Sequence, residues 1–325
     1  MRMTIRHTTR FVYAQPARAS FNEVRLSPRN DEQQNLISFR LTTDPPARTT
    51  SYRDHFGTLV QAFNVWAPHD HLTITGESQV VTYPRPPFPD EDDDERAGKL
   101  EALEDPELVD DNAEWLFESA LASGGDPLTD FAQHVRQVSR PKSVLSLIRG
   151  VNDEVHHRFT YATGSSYVSS TVDDQLKRGT GVCQDFAHLA IATLRDLGIP
   201  ARYVSGYFYA GNADPEPDTA LLVESHAWVE ALVPGYGWVA MDPTNACPAD
   251  ERHVTVAVGR DYSDVAPVRG TLHGGDGQIL EVAVTMVAPS SPFPLTDPTP
   301  RQTPAERRNQ RAAAAIQHQM QVQQQ

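Results

Sequence analysis

The stretch "GTGVCQDFAHLAIATLRDLGIPARY", residues 179–203, constrains the fold more than any other part of the chain. A glycine-rich turn leads straight into an apolar run in which Phe186, Leu189, Ala190, Leu194 and Leu197 recur at helical spacing, and Ala187 and Ile191 widen the stripe. A helix apolar on so much of its surface has to be covered from several sides. Gly198 and Pro200 stop it, and runs of strand character follow at 201–209, 225–233 and 238–242, with shorter ones near 253–259 and 279–287. The expectation is an α+β core in which a central helix packs on a sheet.

Cys183, one of only two cysteines in 325 residues, opens that helix. A helix N-terminus leaves amide N–H groups unpaired and carries the positive end of the macrodipole, so it favours a thiolate and can donate to an oxyanion. Cys247 lies in the polar loop "NACPAD" and reads as a structural residue. Gln184 and Asp185 follow the thiol closely; the Asp185 carboxylate suits the helix dipole yet opposes a thiolate unless a cation neutralises it.

A thiol nucleophile needs a base. His226 opens the strand "SHAWVEALV", and Asp242 ends the strand "WVAMD" sixteen residues later, with "PGYG" as the turn between them. A carboxylate on the far ring nitrogen would fix the histidine tautomer and stabilise the imidazolium, the logic of a catalytic triad. Only one register permits this. A two-residue loop of Gly235 and Tyr236 sets Val229 opposite Asp242 and throws His226 onto the other face. A loop of odd length, or a bulge around 234–237, sets Trp228 opposite Asp242 and leaves His226 its diagonal neighbour, about 7–8 Å away.

Residues 1–85 read as β. In "MTIRHTTRFVYA" Met3, Ile5, His7, Thr9, Phe11 and Tyr13 alternate against polar neighbours, and "NLISFRLTT", "TLVQAFNVWA" and "HLTITGESQVVTYP" follow between turn-rich breaks, as in a small antiparallel sandwich. Residues 86–98 form an acidic, proline-rich linker. From 99 the pattern is helical: Leu128, Phe131, Val135 and Val138 in one helix behind Asp126-Pro127, then Val144, Leu147, Ile148, Val151 and Val155 in the next. The catalytic core then runs to 287, and the tail 288–325, rich in Pro and then in Ala and Gln, is expected to be disordered.

Three segments, "GVCQDFAHLAIATLRDLGIPARYVSGY", "SHAWVEALVPGYGWVAMDPTN" and "HVTVAVGRDYSDVAPVRG", closely resemble the bacterial transglutaminase-like superfamily. "EVRLSPRNDEQQ" and "DHFGTLVQAF" resemble the β domain that precedes the core in that family, so the resemblance spans about residues 1–287. It implies a papain-like cysteine-enzyme core, with Cys183 as nucleophile, His226 as general base and acid, and Asp242 as the orienting acid. Animal transglutaminases use an upstream tryptophan as an oxyanion donor, but here the nearest, Trp115, lies 68 residues before the cysteine. Tyr161, in "HRFTY", could supply a phenolic donor or could simply pack, and Gln184 is a second candidate for oxyanion or substrate binding.

Other chemistries find little support. "VHHRF" at 155–159 lacks HExxH spacing, so no metal and no cofactor are expected. "YVSGY" is not a nucleophile elbow, and no phosphate-binding loop occurs. The net charge of −15 is concentrated in residues 90–126, which carry −13 of it, a pattern of a solvated linker or helix face. No basic stripe points to nucleic acid, no apolar run spans a membrane, and the N-terminus has no secretory h-region. With two cysteines and no disulfide framework, the expectation is a cytoplasmic protein. Its oligomeric state is not legible.

The expected function is thiol-dependent acyl transfer at an amide or peptide bond. Water as acceptor makes the enzyme a cysteine protease or amidase, an amine makes it a transglutaminase, and the triad serves either. Hydrolysis is favoured because water needs no second binding site; a non-catalytic peptide-binding module has no need for all three residues. The partner is a peptide or protein substrate. Because the acidic run 90–95 reads as linker, replacing it with a neutral Gly/Ser segment of equal length is expected to leave turnover within about twofold. A large loss of turnover in a folded variant would contradict this.

Overall fold

The alternation in the first strand reaches well beyond the segment that displays it. β1 (Arg2–Val24) is continuous, and Met3, Ile5, His7, Thr9 and Tyr13 are buried along one face as the period-two pattern requires. The computed structural model describes residues 1–89, 96–162, 171–210, 220–275 and 277–288. The acidic run 90–95 and the tail from 289 lie outside the described residues.

β1 bends where its register shifts, between Val12 and Ala17 against one neighbour and between Ala17 and Ala19 against another. The bend lets one strand serve two sets of partners. β2 (Gln34–Asp44), β3 (Thr49–Arg53), β4 (Leu59–Val65) and β5 (His69–Thr82) complete the N-terminal meander, β5 pairing the first half of β1 and β4 the second. The result is one curled eight-stranded antiparallel sheet around a small core of Tyr13, Val24, Leu26, Phe63, Leu72 and Ile74.

After a 3-10 turn at Leu100–Glu104 come α1 (Pro106–Asp111), α2 (Ala113–Leu116), α3 (Asp126–Ser139) and α4 (Val144–Arg158). Asp126 falls inside α3, with Gly125 at its N-cap, whereas Ser143 caps α4 in a reciprocal box with Ser146. The short β6 (Thr160–Tyr161) pairs in parallel with β7 (Thr180–Gly181), α5 (Val172–Arg178) lying between them in sequence. The central helix is α6 (Cys183–Asp196), buried along most of its length as its apolar pattern demands. It packs on a five-stranded sheet made of β8 (Ala201–Phe208), β10 (Ser225–Val233), β11 (Gly237–Asp242), β12 (Cys247–Pro248) and β13 (His253–Gly259), in the order β12-β11-β10-β8-β13. β9 (Ala220–Val223) precedes β10 but belongs to the N-terminal sheet.

The boundary drawn from sequence, with a β domain ending at 85 and a core running to 287, is not where the sheets divide. Beyond α7 (Tyr262–Val265), β14 (Val268–Gly274) and β15 (Gln278–Val287) return to β1 and line its free edge in succession. β1 leaves that edge unsatisfied once β4 and β5 occupy the other, and the end of the chain fills it. Met3, Ile5, Val80, Val284 and Met286 of the N-terminal sheet share one apolar cluster with the helices and with β8 and β10. Among the described residues no helix is long and apolar enough to cross a membrane.

Gly206 sits where the sheet admits no side chain. A Cβ there would collide with the Val254 carbonyl and come within 2.7 Å of the Trp228 ring. Gly206→Ala is therefore expected to destabilise the protein by about 3 kcal/mol and to lower its melting temperature by at least about 5 °C. An unchanged melting curve would contradict this packing.

Candidate active site

Three elements with separate local reasons to form bring the candidate triad together. α6 begins at Cys183 because Gly181 and Val182 leave the helical path there, and the Asp185 carboxylate accepts the Val182 N–H at 2.8 Å. Asp185 is only 2 % exposed and lies against Gly181, where any Cβ would meet its own Cβ at 2.6 Å. Its charge is thus engaged by the backbone ahead of the helix. The amides of Cys183 and Gln184, in the first turn, have no carbonyl of their own helix to donate to.

The β10–β11 hairpin adopts the register the triad needs. Val229 pairs with Met241 and Val233 with Gly237, around a three-residue loop of Pro234, Gly235 and Tyr236, so the ladder carried one step further sets Trp228 opposite Asp242. His226 and Asp242 then share a face, and His226 Nε2 lies 2.7 Å from Asp242 Oδ2. With Nε2 committed to the carboxylate, Nδ1 is the nitrogen left for Cys183. The thiol sits beside the start of β10, Sγ 3.9 Å from the Ser225 carbonyl oxygen.

Asp242 has no exposed surface and is held by five donors. Oδ2 receives His226, His253 Nε2 at 3.1 Å and Asn245 Nδ2 at 2.6 Å; Oδ1 accepts the Thr244 and Asn245 amides at 3.0 and 3.1 Å. Burial opposes the charge, but these bonds, led by His226 and His253, outweigh it and hold the carboxyl far below the usual carboxylate range. The loop carrying the amides is fixed in turn by His156 of α4, whose Nδ1 donates to the carbonyls of Pro243 and Thr244 at 3.2 and 3.1 Å. For His226, burial disfavours the imidazolium, yet Asp242 and Cys183 raise its pKa to about 10. The sign follows: the charged ring adds stability below its unfolded pKa of about 6.5, and this is lost as pH rises through about 10.

His226, Asp242 and His253 place three ligand-type atoms within 4.8 Å of one another. Both imidazole nitrogens and the Asn245 amide converge on the same oxygen at hydrogen-bond distances, so its lone pairs are engaged by protons. The group is a hydrogen-bond hub, and its chemistry is that of an oriented histidine.

A cleft of about 300 Å³ opens over Cys183 and His226. Gln184 and Tyr161, both singled out in the sequence, line it. The Tyr161 hydroxyl donates to Glu224 Oε2 at 3.3 Å, and its pKa is pushed up to about 12 by burial, then by Cys183 and Glu224, so it remains a donor at neutral pH. Trp115 is elsewhere, packed on Trp238 and Phe56. Of the aromatics suited to a tunnel wall, Trp228, Tyr207 and Tyr209 are core residues and Trp238 stacks under Arg202; the cleft aromatics are Tyr161, Tyr203 and Tyr262. The segment "GRDYSDVAPVRG" forms part of the wall, through Tyr262 and Pro267. The opposite wall is Val282 and Val284 of β15, contributed by the N-terminal sheet. Sequence reasoning passed over His253, Asn245, His156 and Glu224; the "TN" after Asp242, which suits a loop turning back onto a carboxylate, was the one local signal available.

Residues 130–243 match the transglutaminase-like superfamily, and residues 3–81 match the bacterial transglutaminase-like N-terminal region. An uncharacterized protein of Mycobacterium leprae is 37 % identical over 284 residues, covering 87 % of this chain and 97 % of its own. The chain belongs to the transglutaminase-like superfamily. A protein-glutamine gamma-glutamyltransferase of Pseudomonas aeruginosa is 31 % identical over 145 residues, 42 % of this chain and 21 % of that one. A solved candidate cysteine protease of Cytophaga hutchinsonii shares the fold, with a TM-score of 0.66 at 22 % identity, over 92 % of this chain and 93 % of its own.

The two thiols provide a direct test. Cys247 lies across the ladder from Asp242, and burial, then Asp242 and Asp250, push its pKa up to about 11. At neutral pH iodoacetamide is expected to label Cys183 at least about a hundredfold faster than Cys247, and Cys183→Ser to remove turnover with the fold intact. Equal labelling rates would end the assignment of Cys183 as nucleophile.

Proposed function

We propose that this protein is a thiol acyl-transfer enzyme acting on amide or peptide bonds through Cys183, His226 and Asp242, with water as the principal acceptor. The observation that carries the proposal is the 2.7 Å bond to buried Asp242 Oδ2 from Nε2 of His226, which lines the same cleft as Cys183. The Cys183 thiolate attacks the amide carbonyl carbon and its C=O π electrons move onto oxygen. First-turn amides of α6 donate to that oxyanion, and the Tyr161 hydroxyl, whose single proton must turn from Glu224 Oε2 to do so, is the second donor or a substrate contact. The Gln184 side chain lines the same wall and contacts substrate. As the tetrahedral carbon collapses, the C–N bond breaks and His226 Nδ1 gives its proton to the leaving amine. Water, deprotonated by the now neutral ring, adds to the thioester carbonyl; collapse expels the Cys183 thiolate and leaves the carboxylic acid.

Water is favoured by the character of the cleft. Tyr161 and Val282 on its walls stay 45 % and 52 % exposed, and the large aromatics that could close a dry tunnel are in the core. A transamidase has to keep water from its thioester. The second reading is transamidation, favoured by the similarity to the Pseudomonas gamma-glutamyltransferase.

The two are separated by partitioning. With an amide-bearing peptide and millimolar primary amine, the expected product is mainly the hydrolysed acid or cleaved peptide, read by mass spectrometry. Dominance of amine adducts, with acid a minor product, would replace the hydrolase by the transferase.

A further inference from the structure

The triad uses one of the two histidines on Asp242. The other, His253, opens β13, is 2 % exposed, and sets Nε2 3.1 Å from the oxygen that also binds His226. Its proton can be placed. The Asp250 backbone N–H donates to His253 Nδ1 at 3.0 Å, so in the neutral ring the proton is on Nε2; a ring charged by the Asp250 carboxylate, 3.2 Å from Nδ1, carries a proton on Nε2 as well. The opposite tautomer would oppose lone pair to carboxylate on one side and N–H to N–H on the other. Nε2–H therefore donates to Asp242.

The contact joins strands that are not neighbours: β10 and β8 lie between β11 and β13. The ring is held independently of Asp242. It lies 4.7 Å from the Phe208 ring and stands edge-on to Trp228 at 5.2 Å, and Arg252, bonded to Asp250 at 2.6 Å, covers Phe208. Further along β13, Gln34 of β2 grips Thr255 on both sides, accepting its N–H at 2.8 Å and donating to its carbonyl at 2.7 Å.

We propose that His253 is a positioning residue: its Nε2–H fixes the Asp242 carboxylate in the one orientation in which Oδ2 receives His226. The proposal rests on the Cys183, His226 and Asp242 reading above. A carboxylate attached at a strand end can rotate about its side-chain bonds; Asn245 and the amides of Thr244 and Asn245 move with its own turn, so His253 is the donor that ties the shared oxygen to a separate strand. The charged and titratable groups around His226 are Asp242 on β11, Cys183 on α6, His253 on β13, and Glu224 with Tyr161, Tyr203 and Tyr262 along the cleft.

The test is the pH profile of Cys183 alkylation by iodoacetamide, which needs no known substrate, in the full chain and in His253→Gln, His253→Asn and His253→Leu, with melting curves for each. Glutamine places an N–H donor near the Nε2 position, whereas asparagine and leucine do not. The expected result is a wild-type profile for His253→Gln. For the other two, the rate near pH 6 should fall about tenfold or more, where reactivity depends on the paired imidazolium, and stay within about twofold near pH 10. A role confined to packing would shift melting without changing the shape of the profile. Folded Asn and Leu variants with wild-type profiles would overturn the proposal, as would a Gln variant that behaves like Leu. Should His253→Leu not fold, Gln against Asn decides alone. A wild-type Cys183 no faster than Cys247 would sink the triad itself, and this proposal with it; a normal wild-type profile with unmoved variants sinks only the role of His253.

Discussion

Asp242 carries a negative charge with no exposed surface, and much of the core is arranged so that it can. An unpaired carboxylate in such a place costs several kcal/mol of lost hydration. Each hydrogen bond to a charged group returns about 1.5–3 kcal/mol, so five donors are enough to keep it ionised. Those donors come from β10, β13 and the turn after β11, and the turn is itself pinned by His156 of α4. A change in any of these elements therefore reaches the charge that sets the protonation of His226.

The N-terminal sheet takes part in the same arrangement. Gln34 grips β13 at Thr255, where the pairing of β13 with β8 is bulged; it accepts the Thr255 N–H and shares the Thr255 carbonyl with the Arg29 amide. His7 of β1 bonds the buried Tyr207 hydroxyl of β8 at 3.0 Å, and burial pushes that imidazole down to about 4, so this joint stays neutral across the physiological range. β15 adds Val282 and Val284 to the cleft wall. The eight-stranded sheet thus supplies a wall of the cleft and a brace for the strand that carries His253.

What could be read from sequence followed the range of the physics behind it. α6 was legible because its apolar stripe and its Gly198-Pro200 stop are local, and the hairpin because a face requirement on His226 and Asp242 admits one register only. The β1 alternation was legible for the same reason. β14 was not: its pattern of burial is largely exposed, without alternation, and its partner is at the other end of the chain. β9 is four residues long and splits from β10 at Glu224, a division between two sheets that no periodicity announces. His253 stood inside a run that read correctly as a strand, but nothing in a strand pattern tells a buried histidine that packs from one that donates to a carboxylate beyond two intervening strands. The hub at Asp242 was half visible, because hairpin neighbours can be inferred and contacts across a sheet cannot.

The charge count at the site bears on what it binds. The Asp242 charge is deep and fully bonded, and the carboxylate at the cleft itself is Glu224, which is exposed with its oxygen on Tyr161. Asp242 is spent on the interior. The field that an incoming group meets is therefore set by Glu224 and by apolar walls from Val182, Val223, Val282 and Val284. On the proposed reading such a cleft disfavours an anionic group next to the amide, since a like charge would meet Glu224, an effect that solvent at the open cleft keeps modest. On the proposed acyl-transfer reading it suits neutral or basic residues on a polypeptide whose apolar side chains lie along β15. In the proposed reaction the acceptor is decided separately, by whether the exposed face of Tyr161 admits water ahead of an amine, and the carboxylate that would repel acidic groups would also draw an ammonium group toward the thioester. The proposal of hydrolysis then rests on solvent access, with Glu224 as the feature of this chain that pulls the other way.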